Sequence, residues 1–533
     1  MKRKCQKRAY FFIFILVVLI SSCAPKKKIE YPSQLLEEYK SKTEAADALY
    51  KAGSYTCLKE SFHVYKELLG IHYDQKNTSE KLIKTAILLV LRQKELGIHD
   101  GTYSKEVLHL IQENPSLAEY STYLDLVESM HILTKGKRWN FIDDSRKADM
   151  AREKLEENIK LWNQKLEEKS TTEEFYAFLS IAENCHFPFY LRDKQAIQKK
   201  QDFSSLLEIF PESLLIQFKL SLCPEEDIDS LRSVLRQEPR YYEIHYFLGD
   251  HALKQGLLIT AEKNYLECYK HIPESVPAVI SLASVYFALE ELEQSLEFYD
   301  KAIAIIPELR EALLGKAICL SYLNRHEEAI EVCKEVLRLG GYLPGDTHYW
   351  LAWNQNELEN LDDAWKNVEN SKGYLVGYSQ VFSLAGVIAF KKNDRDTAEK
   401  NFIEAMKLDF DNFEASYYLG KIYAAKQEWE KSGKYYESAS LCQYRREKAT
   451  ERKITEIENS DFSEERKNKL LSKKKFQLKK TVLTKATCFY NAAAGYFNAG
   501  RNDQALKLAE QALSHSALKE KAGELIAEIK DRN

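Results

Sequence analysis

The chain has 533 residues, of which 77 are Lys or Arg and 81 are Asp or Glu, giving a formal net charge of −4. That balance excludes a protein that binds nucleic acid through bulk positive charge. The ten cysteines include no C-x-x-C pair, and the twelve histidines have no metal-ligand spacing, so no metal or cofactor is expected.

The N-terminus is read apart from the fold. Lys2, Arg3, Lys4, Lys7 and Arg8 precede the apolar run Ala9 to Ile20, followed by Ser21-Ser22-Cys23. Charged, apolar and small-residue regions in that order make a secretory signal over residues 1–22. Ile20-Ser21-Ser22-Cys23 resembles the lipobox of bacterial lipoproteins. The resemblance implies cleavage before Cys23 and acylation of its thiol, with the lipid tying the chain to a membrane. Ala24 stands where an aspartate would mark inner-membrane retention, so the resemblance points to the periplasmic face of an outer membrane. The alternative is an uncleaved anchor helix, for which the run is short of the ~20 residues a span needs. Loss of the five basic residues from 77 leaves 72 against 81 acidic, a balance of −9. Residues 23–40, opening with Lys26-Lys27-Lys28, read as a tether.

Residues 41–207 are helical in pattern but irregular. Ala46, Leu49, Gly53, Leu58, Phe62 and Tyr65 form one helix-pair signature, and Ala86 to Gly97 the first helix of another. From about 115 to 205 the signal decays, leaving either divergent hairpins or an unrelated helical domain.

Residues 208–446 carry a clear period. Pro239, Pro273 and Pro307 are 34 residues apart. Before them lie Leu248-Gly249, Ala261 and Tyr265 in one unit, and Leu282-Ala283, Tyr286, Ser295, Tyr299 and Ala302 in the next. Further units start at Arg310, near Gly345, at Ser379 and at Phe413, the last with Leu419-Gly420, Tyr423, Tyr436 and Ala439. This pattern resembles the tetratricopeptide (TPR) repeat, and the resemblance implies an all-α solenoid of helix-turn-helix units, an α-α superhelix. Small residues fall where two helices cross, large apolar residues fill the seams, and proline ends the second helix because it lacks an N–H. Cys268 and Cys333 fall on core positions of this pattern.

Residues 447–485 depart from the repeat: they are rich in Lys and Arg and contain neither Pro nor Gly. Thr450–Ile457 and Ser463–Leu483 read as helices joined at Asn459-Ser460-Asp461, with Ser463 as N-cap. Two repeat helices extended into a projecting hairpin account for this. Lys467, Lys469, Lys473, Lys474, Lys475, Lys479 and Lys480 form its basic patch, either a solvated face or a surface for an anionic partner. Residues 486–533 hold a last repeat and a capping helix.

No catalytic constellation is present. Ser472 and Lys475 make a chance S-x-x-K in a lysine run, and Glu183-x-x-His186 lacks the second copy that a di-iron site needs. An enzyme is therefore not expected. The TPR resemblance implies a concave groove lined by the first helix of each unit: Tyr246, Phe287, Tyr322, Tyr349, Trp353, Phe390, Tyr417, Tyr490 and Phe497; the alternative is that some of these rings pack between neighbouring repeats. The expected function is a lipid-anchored envelope scaffold that binds a protein partner in this groove. The alternative is a ligand- or glycan-binding component associated with a transporter. No nucleic acid is expected.

Overall fold

The computed structural model describes residues 31–98, 100–125, 127, 175, 204–222, 227–340 and 343–532. The signal region, Cys23, the start of the tether, Cys223-Pro224 and most of the irregular stretch 115–205 lie outside these residues. Among the described residues there is no strand. None of the described helices is long and apolar enough to cross a membrane.

Four helices open the structure: α1 (Ser33–Ala52), α2 (Tyr55–Leu69), α3 (Gln75–Glu95) and α4 (Thr102–Glu113). Gly53, in a left-handed conformation at φ 71°, ends α1 and leaves no space for a side chain against Leu215. Ser54 then caps α2 by accepting a hydrogen bond from the Cys57 N–H at 3.1 Å. The next described helices are α5 (Leu214–Leu220) and α6 (Ile228–Gln237).

Six helix pairs follow. They are α7 (Glu243–Lys254) with α8 (Leu258–His271), α9 (Val276–Ala288) with α10 (Leu292–Ile305), and α11 (Arg310–Tyr322) with α12 (His326–Leu339). Next come α13 (Pro344–Glu357) with α14 (Leu361–Tyr374), α15 (Ser379–Lys391) with α16 (Arg395–Leu408), and α17 (Phe413–Ala425) with α18 (Trp429–Glu458). The long α19 (Glu464–Asn498) pairs with α20 (Asn502–Leu513), and α21 (Lys519–Asp531) closes the array. The first helices of all six pairs start within one residue of the unit starts that the repeat pattern gives, at 242, 276, 310, 345, 379 and 413, and α9, α11, α15 and α17 start on them.

Local chemistry explains this regularity. Pro239, Pro273 and Pro307 each follow the last residue of α6, α8 and α10 by two positions. Each turn within a pair carries a residue in the left-handed region: Gly256, Glu290, Asn324, Glu359, Asn393 and Gln427. Helices cross where one side lacks a Cβ. A methyl on Gly249 would meet the Tyr265 ring at 2.6 Å, and one on Gly386 the Phe402 ring at 2.6 Å. Burial is therefore distributed as a series of small cores along the array, as in solenoids generally.

Cys268 and Cys333 are fully buried as expected, and burial pushes both thiols up to about 12. The described cysteines, Cys57, Cys268, Cys319, Cys333, Cys442 and Cys488, are all buried and free.

The N-terminal helices join the array through buried charge. Arg92 on α3 and Glu243 at the start of α7 are 1% and 2% exposed and hydrogen-bond each other. Glu243 also accepts from the Tyr55 N–H at 2.9 Å, and the Arg92 guanidinium lies 5.0 Å from the Phe218 ring centre. One hydrogen bond, Val276 N–H to Leu96 C=O at 3.1 Å, seals the seam.

Candidate functional site: an aromatic groove with a strap

The first helices of successive pairs bring a row of rings together. Phe287 on α9 lies 5.4 Å from Tyr322 on α11, edge to face. Tyr322 lies 5.8 Å from Trp350 and 6.2 Å from Trp353 on α13. Tyr322 is 53% exposed, unusual for a ring with three aromatic neighbours, while Tyr349 and Trp353 are half-buried. Further along, Phe390 meets Tyr418 at 5.0 Å, and Tyr417 packs on Phe413 and Tyr436 at 5.7 Å each. Lys421 places its ammonium 5.1 Å from the Tyr417 ring and 5.4 Å from Tyr418, so these faces already hold a cation.

Nearby carboxylates act on the ring hydroxyls. Burial first, then the charges of Glu290 and Glu414, push the Tyr322 hydroxyl above its ordinary value. Burial, Tyr322 and Glu414 push Tyr349 up to about 12.

Not every expected groove residue reaches the surface. Tyr246 is 9% exposed and packs on Phe247 and Tyr265, inside the hairpin core. Phe497 is 6% exposed beneath the Arg532 guanidinium at 4.3 Å. Both pack within their own cores rather than on the row of rings. Tyr490 is half-buried against the last core.

The lysine-rich extension departs from its expected course. Its turn lies at residues 459–463, and Ser463 caps α19 by accepting from the Arg466 N–H. The hairpin does not project free of the array. Glu437 with Tyr496, Glu447 with Lys485 and Glu458 with Lys475 set the antiparallel register of α18 and α19. In that register α18 ends opposite Lys475, and the first three turns of α19 run on without it. They land on the first two pairs of the array.

Arg466 reaches Glu262 on α8 at 2.9 and 3.0 Å. Its Nε donates to Glu291 at 2.9 Å, and its Nη2 binds the other oxygen of the same carboxylate. The Phe462 ring lies 3.9 Å from the guanidinium. Glu262 and Glu291 are 6% and 1% exposed. Burial would lower the Arg466 pKa, but the two carboxylates outweigh it and keep the group charged.

One helical turn further, Leu470 is buried, and Lys474, 5% exposed, binds Glu290. Gln477 donates to the same carboxylate at 2.8 Å, and Lys473 to the Glu290 backbone carbonyl at 3.3 Å. Lys474 and Lys473 are therefore partners of the array, Lys467 pairs with Glu464, and Lys475 pairs with Glu458. Lys469, Lys479 and Lys480 remain exposed. Arg466, Glu262, Glu290 and Glu291 were not singled out by sequence reasoning, and their separations of 175 to 204 residues leave no local signal. Among the described residues no cluster could hold a metal ion.

Tetratricopeptide-repeat family models match residues 276–309 and 384–444. Similar curated proteins are an uncharacterised ycf37 protein of Cyanophora paradoxa, 31% identical over 140 residues, and anaphase-promoting complex subunit 3 of Schizosaccharomyces pombe, 22% identical over 176. The first match spans 25% of this chain and 81% of the relative; the second spans 28% and only 26%. Among solved structures, a tetratricopeptide repeat protein from Parabacteroides merdae is 18% identical, covering 53% of this chain and 98% of its own at a TM-score of 0.35. YrrB, described as a TPR protein with an unusual peptide-binding site, is 23% identical, covering 34% and 92% at 0.28. The chain belongs to the tetratricopeptide-repeat proteins, a class that presents surfaces for protein interaction.

Proposed function

We propose that the protein is a scaffold that docks a protein partner in its concave groove, and that Cys23 carries a lipid anchoring it at the periplasmic face of an outer membrane. The observation that carries the docking reading is the ring row Phe287–Tyr322–Trp353, with Tyr322 left 53% exposed at its centre. Rigid aromatics give a large contact area for little entropy loss and dominate binding hot spots. The absence of a catalytic constellation from the sequence supports a scaffold over an enzyme. The anchor rests on the lipobox-like Ile20-Ser21-Ser22-Cys23.

The test places a photo-crosslinking amino acid at Tyr322 in cells and identifies the captured protein. The reading expects one dominant adduct that Trp353→Ala abolishes. Capture indifferent to Trp353→Ala would overturn it.

A further inference from the structure

The arm formed by α18 and α19 leaves the array at its sixth and seventh pairs and ends on its first and second. The repeats and the arm together thus make a closed circuit of contacts around the groove. At ~1.5 Å per residue, the 35-residue α19 is roughly 52 Å long, enough to span several repeats.

Three features set its landing site apart from incidental surface pairing. The Arg466 guanidinium is forked onto two buried carboxylates, which would be costly to leave unpaired. Glu290 sits in the left-handed region of its turn, at φ 62°, as Gly256, Asn324, Glu359, Asn393 and Gln427 do in theirs, and among these turn residues it is the one whose side chain meets the arm. Its carboxylate is then bound by Lys474 and Gln477. Lastly, the landing turns, residues 464–474, lie beyond the end of α18 in the hairpin register, and Arg466, Lys473 and Lys474 within them each reach the array.

We propose that these turns of α19 are an ionic strap that closes the groove, and that its release admits the partner. The strap holds through Arg466 on Glu262 and Glu291 and Lys474 on Glu290. When it lifts, the circuit opens and a partner chain can enter from the side to reach the half-buried Tyr349 and Trp353 beside the already exposed Tyr322. Exposed Lys469, Lys479 and Lys480 lie on the same helix, where a polyanion could draw the arm away. Only the gating role rests on the groove-docking reading; the strap itself is tested without a partner.

The full chain is treated with a zero-length carbodiimide, which joins a lysine to a carboxylate in direct contact, and amide hydrogen exchange is followed by mass spectrometry. Wild type should yield a Lys474–Glu290 cross-link and protection of residues 464–474. Arg466→Glu leaves both cross-linking residues intact. It should nevertheless cut the cross-link at least tenfold and speed exchange of 464–474 at least tenfold, with α13 to α16 unchanged. Glu262→Gln with Glu291→Gln should reproduce this from the opposite side.

An undiminished cross-link in both variants would overturn the strap. Faster exchange throughout the array would equally overturn it, since the arm would then be a structural pillar. With the photo-crosslinker at Tyr322, Arg466→Glu should raise partner capture at least threefold. Equal capture by strapped and released protein would overturn the gating while leaving groove docking intact. Loss of the adduct in Trp353→Ala bears on docking alone.

Discussion

The crossing of α17 and α18 offers a quantitative test of the repeat geometry. A Cβ built on Gly420 would lie 2.9 Å from Cδ2 and Cγ of Tyr436 and 3.0 Å from Cδ1, where carbon atoms pack comfortably at ~3.5–4.0 Å. The ring has little room to retreat, being 7% exposed and faced by Tyr417 at 5.7 Å. Moving it would shift α18, the base of the arm. Gly420→Ala trades an overpacking cost of ~1–3 kcal/mol against a helix-propensity gain of ~1 kcal/mol, for a net loss of about 0–2. Gly420→Leu has no such offset and should lose at least ~2–3 kcal/mol. The control is Gly523→Ala on α21, where a new methyl meets nothing within 4 Å; it should gain ~0.5–1 kcal/mol. Because a repeat array need not unfold in one step, urea denaturation followed by circular dichroism is paired with hydrogen exchange of the α17 and α18 peptides. A Gly420→Leu protein as stable as wild type, with unchanged exchange there, would refute the placement of that crossing.

Four further outcomes follow from the same physics. Arg92→Ala strands the buried Glu243 carboxylate and should cost ~3–5 kcal/mol, read as faster exchange at α3 and α7. Trp353→Ala should weaken partner binding by at least ~2 kcal/mol at unchanged helical content; unfolding instead would make it a packing residue. For Glu290, burial would raise the pKa, but the hydrogen bond and charge of Lys474, then Gln477 and the charge of Lys453, bring it below the ordinary 4.5. A depressed folded-state value stabilises docking above 4.5 and loses that contribution as pH falls through it. Exchange of residues 464–474, corrected for intrinsic rate, should therefore stay slow at pH 7 and accelerate only in acid. Cys23→Ser should abolish acylation and processing, seen in the N-terminal mass; normal maturation at another site would sink the lipobox reading.

Much of the fold was legible because it is written in short-range chemistry. The prolines at 239, 273 and 307 end helices by lacking an N–H, and Gly249, Gly386 and Gly420 lie under rings one helix away. Each signal acts within a single 34-residue unit, so the pattern places α9, α11, α15 and α17 without knowledge of the rest. The groove was harder. Whether a ring on a first helix lines the surface or fills the core depends on a few tens of degrees of helix rotation, which periodicity does not resolve. Tyr246 and Phe497 fell inside, whereas Tyr322 stands out in the open.

The strap marks the limit of local reasoning. Seen as a run of charge, Lys467 to Lys480 is a solvated helix face, and most such runs are. What turns part of it into a contact is the length of α19 beyond the end of α18 and the carboxylates of the first two pairs that it meets, neither of which resides in those residues. The trace left in the sequence is an acid at the αL position of a repeat turn: Glu290, where Gly, Asn or another small polar residue would relieve the backbone. Glu359 occupies the same place in its own turn and accepts an ion pair from Lys391 at 2.9 Å. In this array, a carboxylate at a position that penalises it belongs to a charge brought from elsewhere in the fold. For Glu359 that charge stands in the next unit, whereas for Glu290 it lies 184 residues away and becomes readable only when the arm reaches the array.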